Sequence, residues 1–283
     1  MKRGSLLTAL ALSGALTVPL SAQGDCFPPD GSNEAHAFAI LSVPLAFTAA
    51  GAPAYPGRWA VEAGLEASYL SRVDDATATP TICRPGKGPE NVNILPGFLR
   101  PRVSLGLPGR FVLEAAWVPP IRVNGARPNL VGLALTRIMP VGTVRLALRA
   151  EATLGVIHAP VTCDEDALRD PTSECFNGTV SDDSYRPNIL GLELLAARAV
   201  SEGGLMLYGG VGYSHLAPRF RVNFINQFDE TDRRRVEVDL DRLTLTAGAT
   251  LRAGNRVGIT AEVHTAPVDA VTGRVVVRTA LRK

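Results

Sequence analysis

A chain of 283 residues, 46% apolar, with 29 basic and 27 acidic side chains, has enough apolar material to bury a large core, as one big domain or two modest ones. That composition excludes a disordered chain. The near balance of charge lacks the basic footprint of a nucleic-acid binder.

Lys2 and Arg3 precede the apolar run Leu6 to Leu20, and small residues follow at Ser21, Ala22 and Gly24. This is the layout of a secretory signal peptide, so residues 1–24 are expected to be an export signal outside the fold. The run is shorter than the roughly 20 apolar residues of a spanning helix. Removing it takes away two basic and no acidic residues, which leaves 27 of each.

Export bears on the cysteines. Cys26, Cys83, Cys163 and Cys175 are even in number, and outside the cytosol such a set is expected to be oxidised. Three pairings are open. Cys163 with Cys175 is the natural local one, and Cys26 with Cys83 follows by elimination. Zinc would want a CxxC or close histidine spacing, which is absent.

Residues 25–57 form an N-terminal extension. Its stretch 35–57 carries no Asp, Glu, Lys or Arg. His36 and Pro44 argue against a spanning helix, and one extra strand would spoil an even strand count. The preferred reading is a plug inside whatever residues 58–283 build; a pairing of Cys26 with Cys83 requires it to thread through.

From residue 58 the dominant period is two. In RWAVEAGLEASYL (58–70), every odd position from Trp59 to Tyr69 is apolar or small, while Glu62 and Glu66 fall on the other parity. The same alternation runs through 99–107, 111–117, 129–139, 144–154, 190–196, 205–214, 243–252, 257–264 and 275–282. That predicts about ten strands with one apolar and one charged or small face. Short connections (108–109, 140–143, 201–204, 253–256) alternate with longer ones (about 72–92, 119–128, 159–184, 217–234, 266–272). This sorting predicts an all-β, antiparallel up-and-down barrel. Trp59 to Tyr69 reaches about 33 Å as a strand, or roughly 25 Å along a membrane normal after tilt. Trp59, Tyr69, Trp117 and Tyr213 are expected at the membrane interfaces. The competing reading is an exported soluble β-sandwich.

On this register Glu62, Glu66, Arg100, Arg102, Glu114, Arg145, Arg149, Glu151, Glu193, Glu262 and Arg278 point inward. In a confined lumen such charges are costly unless paired, so a salt-bridge network is expected, with His264 belonging to it. The acidic loop 163–175 offers Asp164, Asp166 and Asp170 as oxygen ligands for a weak calcium site, although it departs from the EF-hand pattern. Asp74, Asp75, Asp182, Asp183, His158 and His215 near the loop end would serve a surface hydrolase, a minor reading; no enzyme is expected. Gly209-Gly210-Val211-Gly212 has no strand-to-helix context and is not read as a phosphate loop.

Taken together, the export signal, about ten alternating strands, tight turns on one side and long loops on the other resemble the small Gram-negative outer-membrane β-barrel proteins. The resemblance covers about 58–282 and is architectural. It implies a monomer in the bacterial outer membrane, in contact with lipid and lipopolysaccharide, inserted by the barrel assembly machinery and needing no cofactor. The ending Ala280-Leu281-Arg282-Lys283 departs from the aromatic ending that such machinery reads. The expected role is a narrow or gated passage for small or hydrophobic solutes. The alternative is a structural or surface-interaction barrel that displays its loops without transport.

Overall fold

The computed structural model describes residues 24–200, 204–253 and 257–282. The expected export signal lies almost wholly outside the described residues, as do most of the short turns 201–204 and 253–256. Ten strands build the wall: β1 (Val61–Tyr69), β2 (Gly97–Leu107), β3 (Phe111–Val118), β4 (Arg127–Val141), β5 (Val144–Ala159), β6 (Ile189–Ala199), β7 (Leu205–Leu216), β8 (Leu240–Ala253), β9 (Val257–Ala266) and β10 (Ala270–Arg282). Each pairs antiparallel with the next, and β10 closes on β1 through Val275↔Ala67 and Val277↔Leu65. The fold is a closed, up-and-down ten-stranded barrel.

Period-two alternation decides what each face carries. Leu65, Leu99, Leu133, Leu192, Val211 and Val275 stand outward and exposed, while Glu66, Arg100, Arg149, Glu193 and Arg274 are buried inside. A soluble sandwich would hide the first set and solvate the second. β1 starts two residues later than expected, because Trp59 has a positive φ of 63° and its N–H donates to Gly106 O at 2.7 Å.

On the loop side four connections are long, but the fifth, between β9 and β10, spans only Pro267, Val268 and Asp269. This corrects the expectation of a longer loop at 266–272: the alternation in β10 reaches back to Ala270. Beyond Thr153, next to Gly155 with its φ of 130°, β5 parts from β6 while staying paired with β4 to His158. Its end, Ile157 to Ala159, pairs with Asp183–Arg186. That strand pairs with Arg219–Arg221, then Arg235–Glu237, then in parallel with Asp25–Cys26. The loops therefore carry a small sheet that grips the N-terminal segment.

The segment itself begins with α1 (Asn33–Ser42), where the Ser32 side chain caps the Ala35 N–H. Ala35 and Ala39 are fully buried, and the helix is buried on nearly every side, Glu34 and Ser42 included. After a 3₁₀ turn at Val43–Leu45, the chain runs without regular structure down the lumen to the turn side. Tyr55 donates there to Leu107 O at 2.8 Å.

Candidate functional site: a plugged lumen under an apolar chamber

A chain segment with no helix or sheet still carries backbone carbonyls that must be satisfied when buried. Here the wall supplies the donors. Every carbonyl from residue 44 to 49 accepts an arginine N–H: Pro44 from Arg274 at 3.0 Å, Leu45 and Ala46 from Arg100 at 3.2 and 3.3 Å, Phe47 from Arg149 at 2.9 Å, Thr48 from Arg102 at 2.9 Å, Ala49 from Arg278 at 2.5 Å. The Phe47 ring sits 4.4 to 5.2 Å from the guanidinium carbons of Arg100, Arg102 and Arg149, a cation–π arrangement in a desolvated setting.

Glutamates from the wall balance those cations. Glu66 bridges Arg100 at 2.5 Å and Arg102 at 2.6 Å. Glu114 meets Arg149, Arg102 and Arg278. Glu262 accepts from Arg274 at 3.2 Å, Thr48 at 2.7 Å and Tyr208 at 2.7 Å. Glu151 and Glu193 flank Arg149 Nε at 3.6 and 3.5 Å. An unpaired buried ion costs several kcal/mol, so plug and wall are one electrostatic unit: the network orders the segment, and the segment's carbonyls take up arginine donors that the glutamates leave over.

The structure sorts the expected lumen residues. Nine of them, Glu66, Arg100, Arg102, Glu114, Arg149, Glu151, Glu193, Glu262 and Arg278, lie in this network. Glu62 and Arg145 do not. They sit half-buried near the turn end, where Glu62 lines a cavity beside Ala52 and Arg145 lies 3.5 Å from Met206 Sδ. Among the described residues neither forms an ion pair. Sequence reasoning missed Arg274, fully buried at the centre of the network. It shares parity with Val276 and Arg278, and starting the strand at Val275 hid it. His264 is buried, with Nδ1 3.0 Å from Thr246 Oγ1. Trp59 stands exposed at the turn end, and Tyr69, Trp117 and Tyr213 stand exposed on the wall toward the loops.

Above the network the interior turns apolar. Phe38, Leu41 and Leu45 of the plug face Leu70, Ile157 and Tyr185 around a chamber of about 80 Å³. Its roof is tied down. Disulfides join Cys26 to Cys83 and Cys163 to Cys175. The Glu34 carboxylate accepts the N–H groups of Thr81, Ile82 and Cys83 at 2.7 to 2.9 Å, and Arg84 bridges Glu90, Glu174 and Asp232.

In the acidic loop the three aspartates named as calcium ligands each have other partners. Asp164 accepts from Ala167 N and Asn91 Nδ2, Asp166 pairs with Arg169, and Asp170 caps Thr172. Asp166 and Asp170 bond within their own turns and Asp164 also reaches the first long loop, and among the described residues no group of three metal-ligating side chains converges. Of the hydrolase residues the structure brings His158 and Asp182 together and leaves the others apart. His158 pairs with Asp182 at 3.4 Å and His215 with Asp241 at 2.9 Å. Asp183 is buried, accepting from Thr162 N, Asn223 N and Ser181 Oγ. Asp74 caps α2 (Asp75–Ala78).

No protein family model and no curated protein matches the chain. Among solved structures it is similar to Ail, the attachment invasion locus protein of Yersinia pestis (8% identity, 79% of this chain and 98% of that one, TM-score 0.29). It is also similar to Omp33 of Acinetobacter baumannii (6%, 79% and 98%, TM-score 0.32) and to the toluene transporter TbuX of Ralstonia pickettii (8%, 79% and 90%, TM-score 0.30). The barrel assignment rests on the closed strand pairing of this chain itself.

Proposed function

We propose that this chain resides in a bacterial outer membrane and serves as a gated passage for small, largely apolar solutes. Support for the membrane comes from the wall. Its outward rows of Leu and Val form a continuous apolar belt around the barrel, far beyond the few hundred Å² of patch that soluble monomers expose. Support for a passage comes from what fills the lumen: a separate chain segment, held by hydrogen bonds to its backbone, with an apolar chamber directly above it.

The test is uptake of radiolabelled naphthalene by cells carrying the protein against cells lacking it. A second arm staples plug to wall with Ala52→Cys and Thr250→Cys, positions joined by a 2.9 Å hydrogen bond. Uptake that rises with the protein and falls with the staple supports the reading. Equal uptake in all three strains favours the second reading, a loop-displaying barrel, to which the disulfide-tied roof is suited.

A further inference from the structure

The small sheet over the plug is built from three short alternating runs, Ser184-Tyr185-Arg186, Arg219-Phe220-Arg221 and Arg235-Val236-Glu237. Alternation puts the three middle residues on one face. Tyr185, Phe220 and Val236 are in register with one another and buried. The Phe38 ring of α1 lies 5.8 Å from Tyr185 and 6.1 Å from Phe220. The outer face carries the flanking residues, and most of them are arginine.

Register fixes the pattern on that face. Arg221 stands directly opposite Arg235, and Arg219 opposite Arg186. The row continues across the sheet through Ser184 and His158 to Arg127 of β4. Nearby carboxylates are mostly taken. Glu237 at 3.1 Å and Asp239 at 2.8 Å hold Arg219, and Asp182 pairs with His158. Asp25 faces Arg235 in register without an ion pair between them. Arg127, Arg186, Arg221 and Arg235 are exposed, and among the described residues none of the four forms an ion pair or a side-chain hydrogen bond. Like charges directly opposite one another destabilise a sheet. The sheet that grips the plug is therefore built with a repulsion that the protein itself leaves in place.

The position of the row points to what offsets it. On the outward face of the wall Trp117 donates from Nε1 to Asn129 at 3.0 Å, and Arg127 lies two residues farther along the same face of β4. The arginines thus begin one pleat beyond an interface aromatic, on the outside of the barrel, at the level of lipid headgroups. Neighbouring strands set their side chains about 5 Å apart, and guanidinium groups grip phosphate oxygens through paired N–H donors.

We propose that the outer face of the loop sheet is a seat for the phosphorylated headgroup of an outer-leaflet glycolipid, with Arg221 and Arg235 sharing one phosphate and Arg127 and Arg186 flanking it. The bound headgroup removes the repulsion and holds the sheet, with its Asp25–Cys26 strand, over the plug. The inference rests on the membrane residence proposed above and not on passage through the lumen.

The test uses the full-length protein folded into phosphatidylcholine vesicles, with spin-labelled bisphosphorylated lipid A as probe and dephosphorylated lipid A as its counterpart. Binding is read from the immobilised fraction of the probe, and the hold on the sheet from amide exchange at 219–221 and 235–237. The variant Arg221→Gln with Arg235→Gln is compared with Arg110→Gln with Arg198→Gln, exposed arginines toward the turn side, and both must keep the heat-dependent mobility of the folded barrel. Expected is binding weakened at least tenfold in the first and unchanged in the second, with lipid A slowing exchange across the sheet of the unsubstituted protein. Equal weakening in both would overturn the seat in favour of general charge attraction. Equally tight binding of dephosphorylated lipid A would overturn phosphate recognition. Inorganic pyrophosphate matching lipid A in affinity and in protection would overturn the lipid source. Tight binding without slower exchange would overturn the hold on the sheet. Failure of the unsubstituted protein to enter vesicles would overturn membrane residence itself.

Discussion

The ring of Phe47 rests against the bare Cα of Gly132, where an added Cβ would stand 2.7 Å from the ring carbon Cγ. Phe47 is fully buried and shares a small cluster with Ala116 and Ala134 on the neighbouring wall. A glycine in the wall is thus the seat of the plug. Gly132→Ala is expected to destabilise the folded barrel by about 1–3 kcal/mol through overpacking. The temperature at which the barrel loses its fast mobility in SDS electrophoresis checks this. In a Phe47→Ala background the same substitution should cost much less, whereas equal costs in both backgrounds would detach Gly132 from the plug.

Arg149 touches the plug carbonyls and meets three glutamates. Removing one partner of a buried ion network leaves uncompensated charge, at a cost of about 3–5 kcal/mol. Arg149→Met should therefore lower the unfolding midpoint in urea strongly. The double variant Arg149→Met with Glu114→Gln should recover part of that loss. A double variant worse than the sum of its single changes would contradict the pairing.

The tie between α1 and the first long loop is sensitive to acid. Burial of Glu34 works against its charge, but the N–H groups of Cys83 and Ile82 outweigh it and hold its carboxyl below the ordinary value of 4.5. A lowered carboxylate pKa gives stability that is complete above the unfolded value and is lost as pH falls through the folded one. Amide exchange at Ile82 and Cys83 should accelerate below about pH 4.5 relative to wall amides. Glu34→Gln should abolish that dependence.

Cys26 and Cys83 close a span of 57 residues that includes the plug. On the chain-entropy relation a loop of that size is stabilised by about 4 kcal/mol. Replacing both cysteines by alanine should lower stability to denaturant and speed exchange of the α1 amides, with wall amides less affected. Uniform loss across plug and wall would mean that the two unfold as one unit.

Much of the barrel is legible in the sequence because a strand facing lipid on one side and a filled lumen on the other has two chemically opposed faces. Glu66 and Arg100 could be placed inward from parity alone. What the plug does with them could not. Residues 46–57 carry no charge and no period, and beyond the Thr48 hydroxyl and the Phe47 ring their part in the network is played by the carbonyls of 46–49, which leave no trace in side-chain identity. The helix Asn33–Ser42 was hidden for a related reason: it is buried on nearly every side, polar Glu34 and Ser42 included, so it shows no stripe. The pairing of Gly97–Leu107 with Phe111–Val118 stops at Arg102↔Ala116, next to Pro101, Pro119 and Pro120, but prolines signal a break only once the strands they separate are known to be neighbours.

The disulfide at the loop end has a topological consequence. From Cys26 the chain descends through the lumen, turns at the far rim, climbs back as β1 within the wall and returns to Cys83. The barrel therefore carries a closed covalent hoop, half inside and half in its own staves. The plug cannot be drawn out at the turn side while that hoop is intact. For the passage proposed above, opening would have to come from slack within the hoop, its width set by how far residues 46–57 bow away from the arginines.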